Sequence, residues 1–426
     1  MCAPRPPLRL ADGRLFVGAY AFTHWWEPWR SSDDAIRADF KRMGELGITV
    51  LFLDSQPIQA IDRDWDWLDR GHRIARETGL QILPWLESKG GMSIGQHAKR
   101  VEEFVSLPVE MGRRQDGEPA NCIIYHEGFR RVMVSYVRKY MHRYAKKGAL
   151  LQVLWDGEAR PVLSLNVEVG WEGVSFDDET NEMFRRWLRG EYGRIGRVNE
   201  AWGTSYASFA DVDPRDAAVF DYGLERGTPD PPPVADHMRF RAKVIRDAML
   251  RLRKDVLSNY PQLLLAAEVP YVFGDTHPHW MGYRRDNAVL PEIVDWADII
   301  VFRSSGTLSA AEREWCARFE ERGVPVILTH RIRTGQGPGR PEVTPDELRF
   351  RWAHEAAVFA SGFGYYSWNE MVDCHIVANA PGVGAEHMFV LPEQSEELQK
   401  RVAIANSAYA AVYDRHQKEV WVQAPR

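Results

Sequence analysis

Cysteine is scarce in this sequence. Its 426 residues include four, Cys2, Cys122, Cys316 and Cys374, spaced too far apart for a zinc site or a disulfide framework. They read as free thiols of a reducing compartment. Long apolar runs are also missing. None reaches the roughly 20 residues of a membrane span, and Met1–Leu10, rich in Pro and Arg, has no apolar stretch of the kind a secretory signal needs. These absences predict a cytoplasmic protein without membrane contact. A basic excess is absent as well: net charge is −6 and pI about 6.1, which leaves no nucleic-acid footprint. No Gly-x-Gly-x-x-Gly follows the first apolar run. Gly13, Gly18 and the glycines at 90–95 do not form a phosphate loop, and Gly335–Gly339 reads as a loop after a late strand. His277 and His279 form a lone pair rather than a ligand set. No cofactor and no metal is implied.

What is present is tryptophan and a regular alternation of short apolar runs. The chain has 16 Trp, and aromatics make up 12% of it. An indole fills a core, and its flat face also stacks on the C–H face of a sugar. Eight β-favouring runs alternate with helical stretches: Phe16–Phe22, Ile48–Leu53, Leu80–Leu86, Pro161–Gly170, Leu263–Ala267, Asp298–Phe302, Val324–Leu328 and Gly362–Ser367. Parallel strands need crossover helices, and a count of eight favours a closed ring over an open sheet. The spacing predicts helices over about Ser31–Leu46, Asp64–Thr78, Ile94–Ser106, Glu127–Lys147, Asp178–Tyr192, Ala235–Ser258 and Glu396–Arg415. The expected fold is an α/β (β/α)8 TIM barrel: one domain over residues 1–426, with long insertions after strands three and four at about 88–159 and 171–262.

Several runs end in chemistry-bearing residues, at the strand ends where such a barrel gathers its active site. Strand four alternates cleanly. Leu163, Leu165 and Val167 share one face, while Ser164, Asn166 and Glu168 share the other, which places Asn166 and Glu168 toward the barrel axis. Asp54 ends strand two, Glu87 strand three, Glu268 strand five and Arg303 strand six; His330 and Arg331 follow strand seven, and Trp368-Asn369-Glu370 follows strand eight. His24 and Trp25, after strand one, are candidates for the mouth. Only strand four has a readable face, because the others are apolar on both sides, as buried parallel strands are.

Four segments then carry a resemblance. Phe184-Arg-Arg-Trp-Leu-Arg-Gly-Glu-Tyr-Gly193 is followed by Val198-Asn-Glu-Ala-Trp-Gly-Thr-Ser205, with Arg113–Gly117 and Phe129–Arg131 upstream. Together they resemble glycoside hydrolases of clan A, and family 42 (β-galactosidase-like) most of all. That resemblance implies a glycosidase with a carbohydrate substrate and a general acid/base Glu in an Asn-Glu pair closing strand four. The sequence here is Asn166-Val167-Glu168, and the role carries to Glu168, with Asn166 as a sugar contact. The family's strand-seven nucleophile has no counterpart, since Leu328-Thr-His-Arg-Ile-Arg333 contains no carboxylate. Glu268 and Glu370 are the candidate replacements. Trp368-Asn369-Glu370 also resembles the Trp-Asn-Glu of endo-α-mannosidase-like barrels, and Trp368 matches a strand-eight sugar platform.

Glycoside hydrolysis needs two carboxyl groups, about 5 Å apart in retaining enzymes and roughly 6.5–9.5 Å apart in inverting ones. A Glu168/Glu268 pair on neighbouring strands suits the first spacing, and an opposed Glu168/Glu370 pair the second. Asp54, Glu87 and Asn369 are candidate acceptors for sugar hydroxyls. Arg303, His330 and Arg331 suit an anionic sugar, because guanidinium binds planar anions through two hydrogen bonds. Two other readings stay open: a degenerate barrel that binds carbohydrate without cleaving it, and a lyase that uses His330 and the arginines on an acidic sugar. The oligomeric state is open.

Overall fold

The computed structural model describes residues 5–21, 29, 31–55, 65–87, 111–113, 117, 119–122, 125–166, 176–217, 231–269, 293–304, 308, 310–331, 353–366, 368 and 392–423. In chain order the strands are β1 (Val17–Ala21), β2 (Val50–Ser55), β3 (Gln81–Glu87), β4 (Met111–Arg113), β5 (Pro119–Cys122), β6 (Gln152–Trp155), β7 (Glu158–Asn166), β8 (Leu264–Val269), β9 (Ile299–Ser304), β10 (Val326–Arg331) and β11 (Gly362–Tyr366). The hydrogen-bonded order β3-β2-β1-β11-β10-β9-β8-β7 returns on itself through a parallel β3–β7 pairing. The eight runs expected from the sequence are the eight staves, and the fold is a (β/α)8 barrel.

The helices are α1 (Asp33–Glu45), α2 (Asp66–Thr78), α3 (Glu127–Tyr144), α4 (Asp178–Tyr192), α5 (Ile195–Trp202), α6 (Pro214–Ala217), α7 (Pro232–Asn259), α8 (Ala310–Glu321), α9 (His354–Phe359) and α10 (Pro392–Gln423). Their ends follow local chemistry. Ser32 caps α1 by accepting from the Ala35 N–H, with Asp33 and Asp34 in the first turn, where the helix dipole favours acids. Gly79 ends α2 in the left-handed region at φ 77°, which costs glycine little. The helix expected near Ile94–Ser106 lies outside the described residues.

The region after β3 departs from the expectation. The fourth barrel strand begins at Glu158, three residues before Pro161, and is the second arm of a hairpin with β6. Asp156 and Gly157 turn the hairpin with φ of 51° and 81°. Positive φ at both central positions is the tight turn whose twist matches two paired strands. This hairpin has a structural role. Leu151 and Val153 join Leu8 and Leu10 in the apolar cluster inside the ring, and Leu10 bridges Val153. They lie where the staves begin, so they close the N-terminal end of the barrel.

Alternation along the staves divides the core into two layers. Phe16, Tyr20, Val50, Phe52, Leu83, Trp85, Val162, Leu264, Ala266, Ile299, Val301 and Ile327 form the inner layer. Their chain neighbours, such as Ala19, Leu51, Ile82, Leu163, Leu165, Ile300, Leu328 and Phe363, pack outward against the helices. Each large apolar side chain withdrawn from water in these layers contributes about 1.5–3 kcal/mol. A Cβ on Gly18 would collide with the Phe52 ring, so the inner layer requires glycine there.

Two polar groups organise the outer wall. His72 on α2 is buried, stacked on Tyr144 with ring centroids 3.9 Å apart. The Ala149 N–H donates to its Nδ1 (3.1 Å), so the ring proton sits on Nε2, 2.6 Å from the Tyr140 hydroxyl. Burial pushes this imidazole down to about 3, against an opposing pull from Asp69. The second group is Asp236 on α7, buried among helices α4 and α5. It accepts from the Tyr192 hydroxyl (2.5 Å) and the Trp202 indole N–H (2.8 Å), and it pairs with Arg239.

Candidate active site

The C-terminal ends of the staves hold the candidate residues, and register fixes their mutual placement. Asn166, the last residue of β7, pairs with Glu87 on β3 and with Glu268 on β8. Glu268 in turn pairs with Val301 on β9. Alternation from the inner-layer residues Phe52, Trp85, Val162, Ala266, Val301 and Ile327 assigns Asp54, Glu87, Asn166, Glu268, Arg303 and Arg331 to inner-face positions. For Asp54, Glu87, Asn166, Arg303 and Arg331 the structure describes the strand position. Arg303 is level with Thr329, and Arg331 with Tyr366. Glu268 is described in full, and its side chain is 0% exposed. Glu168, Glu370, Asn369, His24 and Trp25 lie outside the described residues.

Two expectations are corrected. His330 was placed with the substrate contacts, but Ile327 faces inward, so His330 falls on the outer face of β10. There it is fully buried, edge-on to Phe363 at 5.5 Å, in the layer between staves and helices. Trp368 was expected to present a face to sugar. Its indole is instead 0% exposed and belongs to the same helix-side layer. Trp368 takes part in a tie that the sequence did not disclose. Asp39 of α1 accepts from the Trp29 indole N–H (2.6 Å), and the Trp368 indole approaches the same carboxylate. Burial raises the Asp39 carboxyl to about 6, and the two indoles oppose that rise.

Sequence reasoning also missed the residues beneath the carboxylates. Tyr20 stacks on Phe52 (centroids 4.4 Å apart, planes 11° apart) and meets Trp85 edge-on at 5.6 Å. Ser164, in register with Trp85 and Ala266, is fully buried beside them. The available signal was the spacing of Phe16, just before β1, with Gly18 and Tyr20 on it, and of Leu83, Trp85 and Glu87 on β3, read two residues at a time. The chemical result is an aromatic floor below a ring of inner-face positions that carries acids on β2, β3 and β8 and arginines on β9 and β10. Acids of this kind accept from sugar hydroxyls or exchange protons with a glycosidic oxygen. Among the described residues no group of three His, Cys, Asp or Glu is placed to hold a metal ion, and no helix is long and apolar enough to cross a membrane.

Comparison with known proteins agrees with this geometry. Beta-galactosidase BgaA of a Thermus species is 24% identical over 456 aligned residues, covering 96% of this chain and 64% of that protein. A beta-galactosidase of Thermus thermophilus is 25% identical, covering 57% of this chain and 35% of its own length. The chain thus spans less than two thirds of these relatives. Among solved structures, the beta-galactosidase of the haloarchaeon Halorubrum lacusprofundi superposes with a TM-score of 0.62 at 16% identity, over 93% of this chain and 58% of that one. The catalytic domain of a beta-amylase from Paenibacillus polymyxa shares the fold at TM-score 0.57 and 12% identity, over 84% of this chain and 93% of its own. The sequence pattern of glycoside hydrolase family 42, described as beta-galactosidase, matches residues 19–267, more than half of the 426 residues. The chain belongs to glycoside hydrolase family 42.

Proposed function

We propose that this chain hydrolyses a β-galactoside-like O-glycosidic bond, with Glu168 as general acid/base and Glu268 as the second carboxylate. The observation that carries the pairing is the placement of Glu268. Its side chain is fully buried on the inner face of β8, in register with Asn166, two residues before Glu168. Neighbouring staves lie about 4.8 Å apart, and this closeness suits the short carboxylate separation of a retaining glycosidase, with the two groups flanking the scissile bond. Glu370, after β11, is the alternative second carboxylate. The absence of a carboxylate from Leu328–Arg333 supports a partner drawn from another stave.

A finer reading concerns the substrate. Arg303 and Arg331 occupy inner-face positions on adjacent staves β9 and β10. Two guanidinium groups there suit a galactoside bearing a carboxylate or sulfate. The same missing strand-seven acid also favours a second reading, a barrel that binds sugar without cleaving it. The lyase reading loses support, because His330, the base it would use, faces the helices.

The test is turnover of neutral and anionic aryl β-galactosides by wild type, Glu168→Gln, Glu268→Gln and Glu370→Gln, with azide rescue of each variant. Loss of turnover in Glu168→Gln and Glu268→Gln, but not in Glu370→Gln, is expected. A glycosyl azide would report which carboxylate takes which role. Sugar binding without turnover in wild type would establish the binding-only reading, and an unsaturated product would establish the lyase.

A further inference from the structure

Away from the mouth, an open cleft of about 1390 Å³ runs along the outer wall between α2 and α3. Its floor is closed by Trp65, His72 and Tyr144, which are buried. Its rims are cationic: Arg73 and Arg76 from α2, with Arg138, Lys139, Arg143 and Lys147 from α3 and the turn after it. Asp66 and Asp69 are the only carboxylates among the lining residues, so six cations face two acids. The chain as a whole carries a net charge of −6, so this local excess of cations runs against its overall balance.

Internal pairing accounts for part of this charge. Arg143 binds Asp69 through its Nε (2.7 Å) and lies over the Trp65 ring, 5.6 Å from its centroid. Arg73 pairs with Asp33 and with Glu77. Arg76, Arg138 and Lys147 have no carboxylate within ion-pairing distance among the described residues. Arg76 is also held in place. One of its N–H groups donates to the Lys147 carbonyl (2.8 Å), which ties the guanidinium across the ends of both helices, and Arg76 lines the cleft. A concave surface with an excess of one sign of charge focuses the field and concentrates counter-ions. A pinned guanidinium and an ammonium lining the same cleft suit a tetrahedral oxyanion in charge and hydrogen bonding.

We propose that this cleft is an anion site, separate from the barrel mouth, that binds a small ligand carrying several phosphate or sulfate groups. Arg76 and Lys147 form its centre, and Arg138 forms its upper contact. The floor rings Trp65, His72 and Tyr144 are buried, so charge and hydrogen bonding lead recognition. Binding weakens as ionic strength rises, because these cations are exposed to solvent.

Isothermal titration of the full chain with inorganic tripolyphosphate at low salt tests the proposal. A parallel arm uses a sulfated disaccharide and its desulfated form, which distinguishes the two sources of oxyanion. Saturable one-site binding is expected, weakened about tenfold or more in Arg76→Gln and in Lys147→Gln and weakened less in Arg138→Gln. Arg197→Gln, an exposed arginine on α5, should bind as wild type does. All four side chains are exposed, and circular dichroism checks that each variant is folded. Absence of saturable binding to either oxyanion would overturn the proposal, as would equal weakening by Arg197→Gln. Self-association abolished by Arg76→Gln would overturn it too, because the cleft would then be a contact between chains.

Discussion

Asp236 and Glu268 are both carboxylates withdrawn from water, at 2% and 0% exposure, and they sit in opposite settings. Asp236 lies among helices, where a phenol, an indole and a guanidinium from three turns of chain converge on its oxygens. It joins α4, α5 and α7 into one block. Glu268 lies on the inner face of a stave, at the end where the ring opens, above an aromatic floor and level with Asn166 and Val301. A buried charge surrounded by donors stabilises the elements that bring those donors, and its loss is felt as instability. A carboxylate held on a rigid strand toward a cavity serves whatever enters the cavity. Equal burial thus accompanies a structural role for Asp236 and the catalytic role proposed for Glu268, and the face on which each side chain sits separates the two.

Four substitutions sharpen or break that contrast. The largest effect is expected from Glu268→Gln, which should lower kcat about 10²- to 10⁴-fold while shifting Tm little. A large fall in Tm with turnover retained would reverse its role. Next is the acid limb of the stability profile. His72 is neutral in the fold, with its pKa pushed down from 6.5 to about 3. The unfolded chain therefore binds the extra proton between those values, and stability present above pH 6.5 is lost as pH falls, by an amount of order 4 kcal/mol. His72→Gln should flatten this limb in urea titrations from pH 7 to 3.5. Asp236→Asn follows, with a loss of about 3 kcal/mol read by denaturant unfolding and little change in the proposed turnover of the folded chain. The smallest effect belongs to Asp39. Its pKa is raised from 3.8 to about 6, so the folded state holds the proton more tightly, and stability declines as pH rises from 4 to 6. The expected decline is about 2 kcal/mol. Asp39→Asn keeps an acceptor for the Trp29 indole and should remove that decline; an unchanged profile would mean that the tie carries no charge.

The staves were legible in the sequence because each is an apolar run of strand length bounded by turn residues. Faces were legible only on strand four, where Ser164 and Asn166 alternate with Leu163 and Leu165. On strand seven, Val326–Leu328 is apolar throughout, so nothing in the sequence told His330 from Arg331, and register had to decide. The Asp156–Gly157 hairpin was readable in principle as a tight turn between β-favouring arms, but it sat in a stretch assigned to the insertion. The Asp236 junction was not readable, since its partners Tyr192 and Trp202 are 44 and 34 residues away in the chain. That junction also explains what the family-like segment does. Phe184 packs on Trp187, Trp202 and Phe240. The Asn199 side chain accepts from Thr204 and from the Tyr206 N–H, and donates to the Tyr206 carbonyl. The motif is a structural joint rather than a set of reacting groups.

The Leu8–Leu10 segment and β6 plug the end of the ring where the staves begin. Among the described residues, the vessel is stoppered at its base and opens at the other end. Whatever reaches the aromatic floor arrives from the side that carries Glu268 and must depart by the same route. On the proposed hydrolysis, a leaving fragment and an arriving molecule would therefore share that end of the ring.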